Sequence, residues 1–295
     1  MDAWEKNVRL YRPGNDYPQE DGVFLYVPEE LYHGDRTRLS KHQLDLLDES
    51  PLKFRSWQLG QLNNILPKQN LGTPFHDHVA NRGMYSPHVV VGPSCKRSEK
   101  PWLQFAKSLP PGIIAITERE HALISAAYRA LLTNEDYSVY LRSRGFRELT
   151  INWTISQGRP IRMRSRLDRV CETVDGWTIV DFKLMQSIDI GSFRRSMCRF
   201  RYHVQDFVYK WAARTVGIDV VDFVFLCIEN KPPHDVAAYR MGARSLAAAA
   251  DDFSANLDLW IECSSTGVWP GQAPLIRTVD LYEGTNDRSD KASFC

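Results

Sequence analysis

The chain has 295 residues, 43% of them hydrophobic and 25% charged, with 37 Lys and Arg against 36 Asp and Glu for a net charge of +1. That composition supports a buried core and excludes a disordered chain, and the charge balance excludes a histone-like polycation. Nucleic acid stays open as a partner, because a local stripe of positive charge is enough to hold a phosphate backbone.

Six cysteines, at 95, 171, 198, 227, 263 and 295, form no CxxC pair. Their wide spacing argues against a disulfide framework and against clustered zinc or iron–sulfur ligands, and so for a reduced protein. No apolar run is long enough for a membrane span, and the opening MDAWEKNVRLYRPGND lacks the apolar stretch of a secretory leader. A cytoplasmic protein is expected.

Residues 1–38 are polar and turn-rich and read as an N-terminal arm. Ser40 can cap a helix carrying Leu44 and Leu47, with Pro51 at its end. The stretch 54–66 is ambiguous, and a second helical segment begins near Gly72. From 83 to 112 proline and glycine recur without a period, as in surface loop around short elements. Thr117 and Glu120 have the capping-box spacing and open a helix over 117–132. The period then changes to two, so 146–155, 161–170 and 177–184 read as strands, the last two joined by an Asp175–Gly176 turn. A helix over about 191–213, with Phe200, Val204, Val208 and Trp211 on one side, precedes an apolar strand at 220–228. A helix over about 243–261 completes the pattern. With no repeat and no dividing linker, one compact α/β domain is expected.

An Asp175–Gly176 turn sets Asp168 opposite Lys183 and Val170 opposite Asp181. Asp168, Asp181 and Lys183 then share one face of the hairpin, while Val180 and Phe182 face a core. A solvated cross-strand salt bridge would use the same residues. Against it, Asp is disfavoured inside a strand such as WTIVDFKL, two nearby carboxylates call for a cation, and the preceding strand adds Glu148. Oxygen ligands on adjacent strands suit a hard divalent ion such as Mg²⁺, and a lysine beside it can orient water for phosphodiester hydrolysis. Residues 159–169 carry five arginines against one aspartate, and 194–201 carry four arginines. Arg162, Arg164 and Arg166 share the parity of Asp168, so with Arg194, Arg195, Arg199 and Arg201 they are candidates for contacts to DNA phosphates, the alternative being a solvated or oligomer-contact face.

The ordered segments LYVPEELYH (25–33), LSKHQLDLLDESPLKFR (39–55), LGTPFHDHV (71–79), FRELTINW (146–153), RSRLDRV (164–170), IVDFKL (179–184), FRYHVQDFVYKWA (200–212) and TGVWPG (266–271) resemble the PD-(D/E)XK nuclease superfamily. Within it they resemble the phage-type recombination exonucleases related to exodeoxyribonuclease VIII. The resemblance implies a restriction-endonuclease-like α/β core, a central mixed sheet flanked by helices with an elaborated N-terminal helical part, spanning 39–271 and leaving 272–295 as a tail. It implies that Asp168, Asp181, Glu148, His76 and the Phe182 carbonyl hold one or two Mg²⁺ ions, with Mn²⁺ an alternative. Lys183 would be the motif lysine, and Gln205 and Tyr209 the QxxxY pair on one helical face. The implied activity is 5′→3′ digestion of linear double-stranded DNA that leaves 3′ tails for annealing, by a ring of three or four subunits beside a single-strand annealing protein, in a bacterial or phage-infected cell. The chain departs from the family where Leu184 and Met185 replace the usual hydroxyl residues after the lysine, and where Leu167 replaces a common proline. A restriction-type or Cas4-like nuclease, and a non-catalytic DNA-binding scaffold, remain alternatives.

Overall fold

The computed structural model describes residues 2–62, 71–157 and 159–271. A single 3-10 turn at Trp4–Asn7 leads into β1 (Val8–Leu10) and β2 (Gly22–Leu25), then α1 (Glu29–Gly34), α2 (Lys41–Glu49) and α3 (Pro51–Gln58). Next come α4 (Gly72–Ala80), β3 (Val89–Val91), α5 (Lys100–Ser108), β4 (Ile114–Ile116), α6 (Glu118–Thr133) and α7 (Val139–Arg142). The long strands β5 (Gly145–Gln157), β6 (Arg159–Thr173) and β7 (Gly176–Met185) precede α8 (Ile190–Phe200) and α9 (Tyr202–Thr215). The chain closes with β8 (Val220–Glu229), β9 (Val236–Tyr239) and α10 (Ala243–Thr266).

Seven strands form one mixed sheet in the order β1-β2-β5-β6-β7-β8-β9, with β7 and β8 parallel and the β5–β6–β7 meander antiparallel. Strands this apolar bury both faces. One face packs under Leu44 and Leu47 of α2, Val204 and Val208 of α9 and Phe253 of α10. The other packs under Phe75 and Val79 of α4 and Ile124 and Leu131 of α6, and receives Val180 and Phe182 as expected. The molecule is therefore the α/β sandwich that the periodicity implied, a mixed central sheet flanked by helices.

Local signals act where expected at two helix starts. Ser40 and Gln43 form a capping box on α2, and Thr117 accepts from the Glu120 N–H at 3.2 Å while Glu120 accepts in return from the Thr117 N–H at 2.7 Å. Pro51 does more than end α2: it starts α3 at the first-turn position where its missing N–H costs nothing. The helix expected over about 191–213 is two helices, broken at Arg201, whose φ of 49° is left-handed. Of the ambiguous 54–66, α3 takes the part to Gln58, and 63–70 and the tail 272–295 lie outside the described residues.

Residues 1–38 are not a separate arm. They supply β1 and β2 to the sheet, β2 pairing antiparallel with β5. Trp4 is buried against Phe146 and Trp177 at ring distances of 5.2 and 5.0 Å. Arg38, 1% exposed, donates to Asp21 at 2.9 Å and to the Gln19 and Met163 carbonyls at 2.6 and 3.2 Å. Turn-rich composition hid these contacts because they are paired with residues more than a hundred positions away.

Candidate active site

The hairpin is tighter than the sequence suggested. Thr173 pairs with Gly176 and Arg169 with Val180, so the turn residues are Val174 and Asp175, one step earlier than Asp175–Gly176. Val170 faces Ile179 instead of Asp181, and the next step along the ladder sets Asp168 level with Asp181 instead of Lys183. The whole register moves by two, an even number, so the shared face of Asp168, Asp181 and Lys183 survives the correction.

β7 presents Asp181 and Lys183 toward α9. Asp181 is 2% exposed. Its Oδ2 lies 2.5 Å from Lys183 Nζ, and its Oδ1 accepts from Gln205 Nε2. Lys183 Nζ also donates to Gln205 Oε1 at 3.3 Å. One amide thus closes acid and base into a three-membered unit. Burial works against the Lys183 ammonium, but the neighbouring Asp181 carboxylate outweighs it and holds the lysine protonated. Tyr209, one turn after Gln205, hydrogen-bonds it, and burial raises the tyrosine's phenol well above its ordinary range.

Asp168 sits beside this unit. Its Oδ2 takes the Phe182 N–H at 3.0 Å and His76 Nδ1 at 2.9 Å. Burial disfavours the carboxylate, yet His76 and Lys183 more than offset it and Asp168 is held below its usual range. Burial likewise disfavours the His76 imidazolium, and Asp168 reverses that, raising it to about 9. Glu148 occupies the position opposite Asp168 between the Arg147–Arg169 and Leu149–Leu167 pairs, with a left-handed φ of 48°. Alternation slips there. Phe146 and Val170 on one side and Leu149 and Leu167 on the other all meet the same core, though they are three residues apart along each strand. The Glu148 carboxyl is pushed up to about 7, first by loss of water around it and then by the Asp168 charge. All six side chains expected at the centre are therefore brought together, with the Phe182 backbone between the two aspartates.

The arginines divide. Arg164 is fully buried on Asp35 at 2.7 Å, with its guanidinium 5.0 Å from the Tyr32 ring, and is withdrawn from any DNA. Arg162 donates to Gln19, and Arg166 to the Val27 carbonyl at 2.8 Å. These three lie under the 17–35 segment, so the expected track along β6 is covered. Arg166 instead stands 4.0 Å from Glu148. Arg201 is taken up by Asp45, Asp48 and Asp252. Arg194, Arg195 and Arg199 on α8 remain exposed. Two residues near Lys183 were not singled out by motif: Tyr202, whose ring centroid is 4.7 Å from the ammonium, and Lys41, close enough to Lys183 for their charges to repel. Tyr202 lies three before Gln205, and that helical spacing was a usable signal. Lys41 arrives from α2 by tertiary packing and carries no such signal.

Among the described residues no three His, Cys, Asp or Glu side chains are gathered tightly enough to chelate an ion as they stand, because Asp181 is turned to Lys183 and Asp168 to His76. The donor chemistry nonetheless fits a hard divalent cation: three carboxylates, two of them on adjacent strands, and a buried Asp181 Oδ2 with no hydrogen-bond donor other than its ion pair. Asp168, Asp181 and Glu148 are the residues that would hold it.

Residues 107–281 match the family described as PDDEXK-like domain of unknown function (DUF3799), which is more than half of the chain. The chain belongs to this family. No curated protein matches it. Among solved structures it is similar to a candidate exonuclease from Eubacterium rectale, with a TM-score of 0.57 and 13% identity over 87% of this chain and 97% of that one. At that identity the likeness speaks for the fold, and it is a nuclease fold. A second structure, of SSO0001, has a TM-score of 0.28 and 12% identity over 61% of this chain and 84% of that one, and carries no argument. The site at the β6–β7 hairpin is therefore a PD-(D/E)XK centre, and the chain is a PDDEXK-like, exonuclease-like nuclease. No helix among the described residues is long and apolar enough to cross a membrane.

Proposed function

We propose that the chain is a metal-dependent 5′→3′ exodeoxyribonuclease that digests linear double-stranded DNA and leaves 3′ single-stranded tails for recombination by strand annealing. The observation that carries the reading is the closed Asp181–Lys183–Gln205 unit beside Asp168 and Glu148. Mg²⁺, or Mn²⁺, held by Asp168, Asp181, Glu148 and the Phe182 carbonyl, would supply Lewis acidity to the phosphate and to the leaving oxygen. Lys183 orients the attacking water and offsets charge that builds on the phosphate. Gln205 fixes the Lys183 rotamer, and Tyr209 supports Gln205. His76 holds Asp168 in place. Breaking the bond to the 3′ oxygen leaves the 5′ phosphate on the released nucleotide. Leu184 and Met185 remove hydroxyls and touch none of these roles.

Encirclement of DNA by a ring of three or four subunits would keep a protein of net charge +1 on its substrate, and the 3′ tail is a substrate for a single-strand annealing protein in the same cytoplasm. Linear duplex labelled at either the 5′ or the 3′ end, beside a closed circle, tests the reading with Mg²⁺ present. Release of the 5′ label with the circle spared supports it. A cut circle makes the chain an endonuclease, and binding without cleavage makes it a scaffold.

A further inference from the structure

The backbone between α8 and α9 is held in a conformation that non-glycine residues avoid. Arg201 has φ 49° and ψ 51°, and its guanidinium is tied to Asp45 at 3.5 Å and Asp48 at 3.4 Å on α2 and to Asp252 at 3.3 Å on α10. The effect falls on its neighbours. Residues two apart in a continuous helix point to different sides, yet the rings of Phe200 and Tyr202 stack at 5.9 Å and 21°. Tyr202 stacks in turn on Phe225 at 5.3 Å and 20°. Lys183 Nζ lies 4.7 Å from the Tyr202 centroid. A ladder of near-parallel rings thus rises from β8 past the site's ammonium and ends at Phe200.

Phe200 is 48% exposed and belongs to neither face of the core among the described residues. Its carbonyl accepts from Lys41 Nζ, which offsets the negative end of α8 where a phosphate would otherwise be repelled. Arg194, Arg195 and Arg199 are exposed on the same helix, and the Arg199 guanidinium rests 5.2 Å from the Phe200 ring. Core packing gives no reason for an exposed aromatic here. Strain maintained beside a site is a signature of function.

We propose that Phe200 is a stacking platform for a nucleobase of the DNA strand being cut, with Arg194, Arg195 and Arg199 on the flanking phosphates. The inference rests on the nuclease reading and specifies how that site grips its substrate. The Phe200 ring is no further from Lys183 Nζ than 5.9 and 4.7 Å laid end to end. That reach is about three stacked base steps at roughly 3.4 Å each, so the held base lies near the scissile bond. Stacking is tolerant of sequence because every base has a π face, which suits an enzyme that must advance along any DNA. Arg199 already lies against the ring as a planar cation, and on binding it has a phosphate to move to.

The test reads binding without cleavage: fluorescence anisotropy of a labelled duplex with a short single-stranded end, with Ca²⁺ in place of Mg²⁺. An abasic residue is moved through the end positions. Wild type should lose affinity about ten-fold at one position and little elsewhere. Phe200→Ala should lose about as much on intact DNA and become indifferent to the abasic residue, and Phe200→Trp should restore both behaviours, with melting temperatures unchanged. Phe200→Ala that binds intact DNA as wild type does, or keeps the wild-type abasic profile, overturns the platform while Mg²⁺-dependent cleavage by wild type leaves the nuclease reading in place. Wild type that neither cuts nor binds linear DNA overturns both.

Discussion

Asp206 stands next to Gln205 on α9, and the two side chains have opposite consequences. Gln205 joins Asp181 to Lys183. Asp206 is 1% exposed and has an ion pair with Lys210 at 2.7 Å as compensation. Burial pushes its carboxyl up to about 6 from 3.8, more than Lys210 lowers it. The folded state therefore binds this proton more tightly than the unfolded state. Its contribution to stability is complete below the unfolded pKa and is lost as pH rises through the folded one. Urea denaturation of wild type and Asp206→Asn should show the difference moving in the variant's favour by up to about 3 kcal/mol between roughly pH 4 and pH 6.5. A constant difference across that range would show that Asp206 does not carry this burial cost. The catalytic residues were legible in the sequence because strand alternation and the i,i+4 helical spacing place side chains by arithmetic. The fate of Arg164 was not, since its burial on Asp35 depends on a segment 129 residues earlier.

At the scale of elements, the hairpin and the α8–α9 break mark where sequence reasoning succeeds and stops. Alternation gave the correct face for Asp168, Asp181 and Lys183 even with the turn misplaced by one residue, because the resulting register error is even. The same alternation failed along β6. It assumes an unbroken pleat, whereas the left-handed backbone at Glu148 shifts the phase between Asp168 and the arginines before it. Helical periodicity likewise ran through Arg201, because no glycine or proline flags its left-handed turn. Arg201 is kept there by three carboxylates. Replacement by Ala or Gly loses those contacts equally, but Ala also retains the left-handed penalty. Arg201→Ala should unfold in urea about 1 kcal/mol more easily than Arg201→Gly. Equal stability of the two would mean that the turn relaxes without its arginine.

At the scale of the whole molecule, the first 38 residues complete the sheet and roof the β6 arginines. The family match begins at 107, yet the α/β layers it names are finished by β1 and β2. Trp4→Ala removes a side chain that is 3% exposed and wedged edge-on against Phe146 and Trp177. It should cost about 3–5 kcal/mol by thermal or urea unfolding, whereas a loosely attached arm would lose almost nothing. Packing of this kind reaches the site through Tyr32, whose ring lies 4.2 Å from the Arg166 guanidinium that faces Glu148.

The central claim is that the Asp181–Lys183 pair is a catalytic centre and more than a buried ion pair. Its most direct test is single-turnover cleavage of linear duplex DNA with Mg²⁺ by wild type and Lys183→Ala, with circular dichroism and DNA binding measured on the same preparations. The prediction is cleavage by wild type and a loss of at least about 100-fold in Lys183→Ala, with the folded signal and DNA binding retained. Equal cleavage by the two proteins would contradict the account, and so would folded, DNA-bound wild type that cuts nothing.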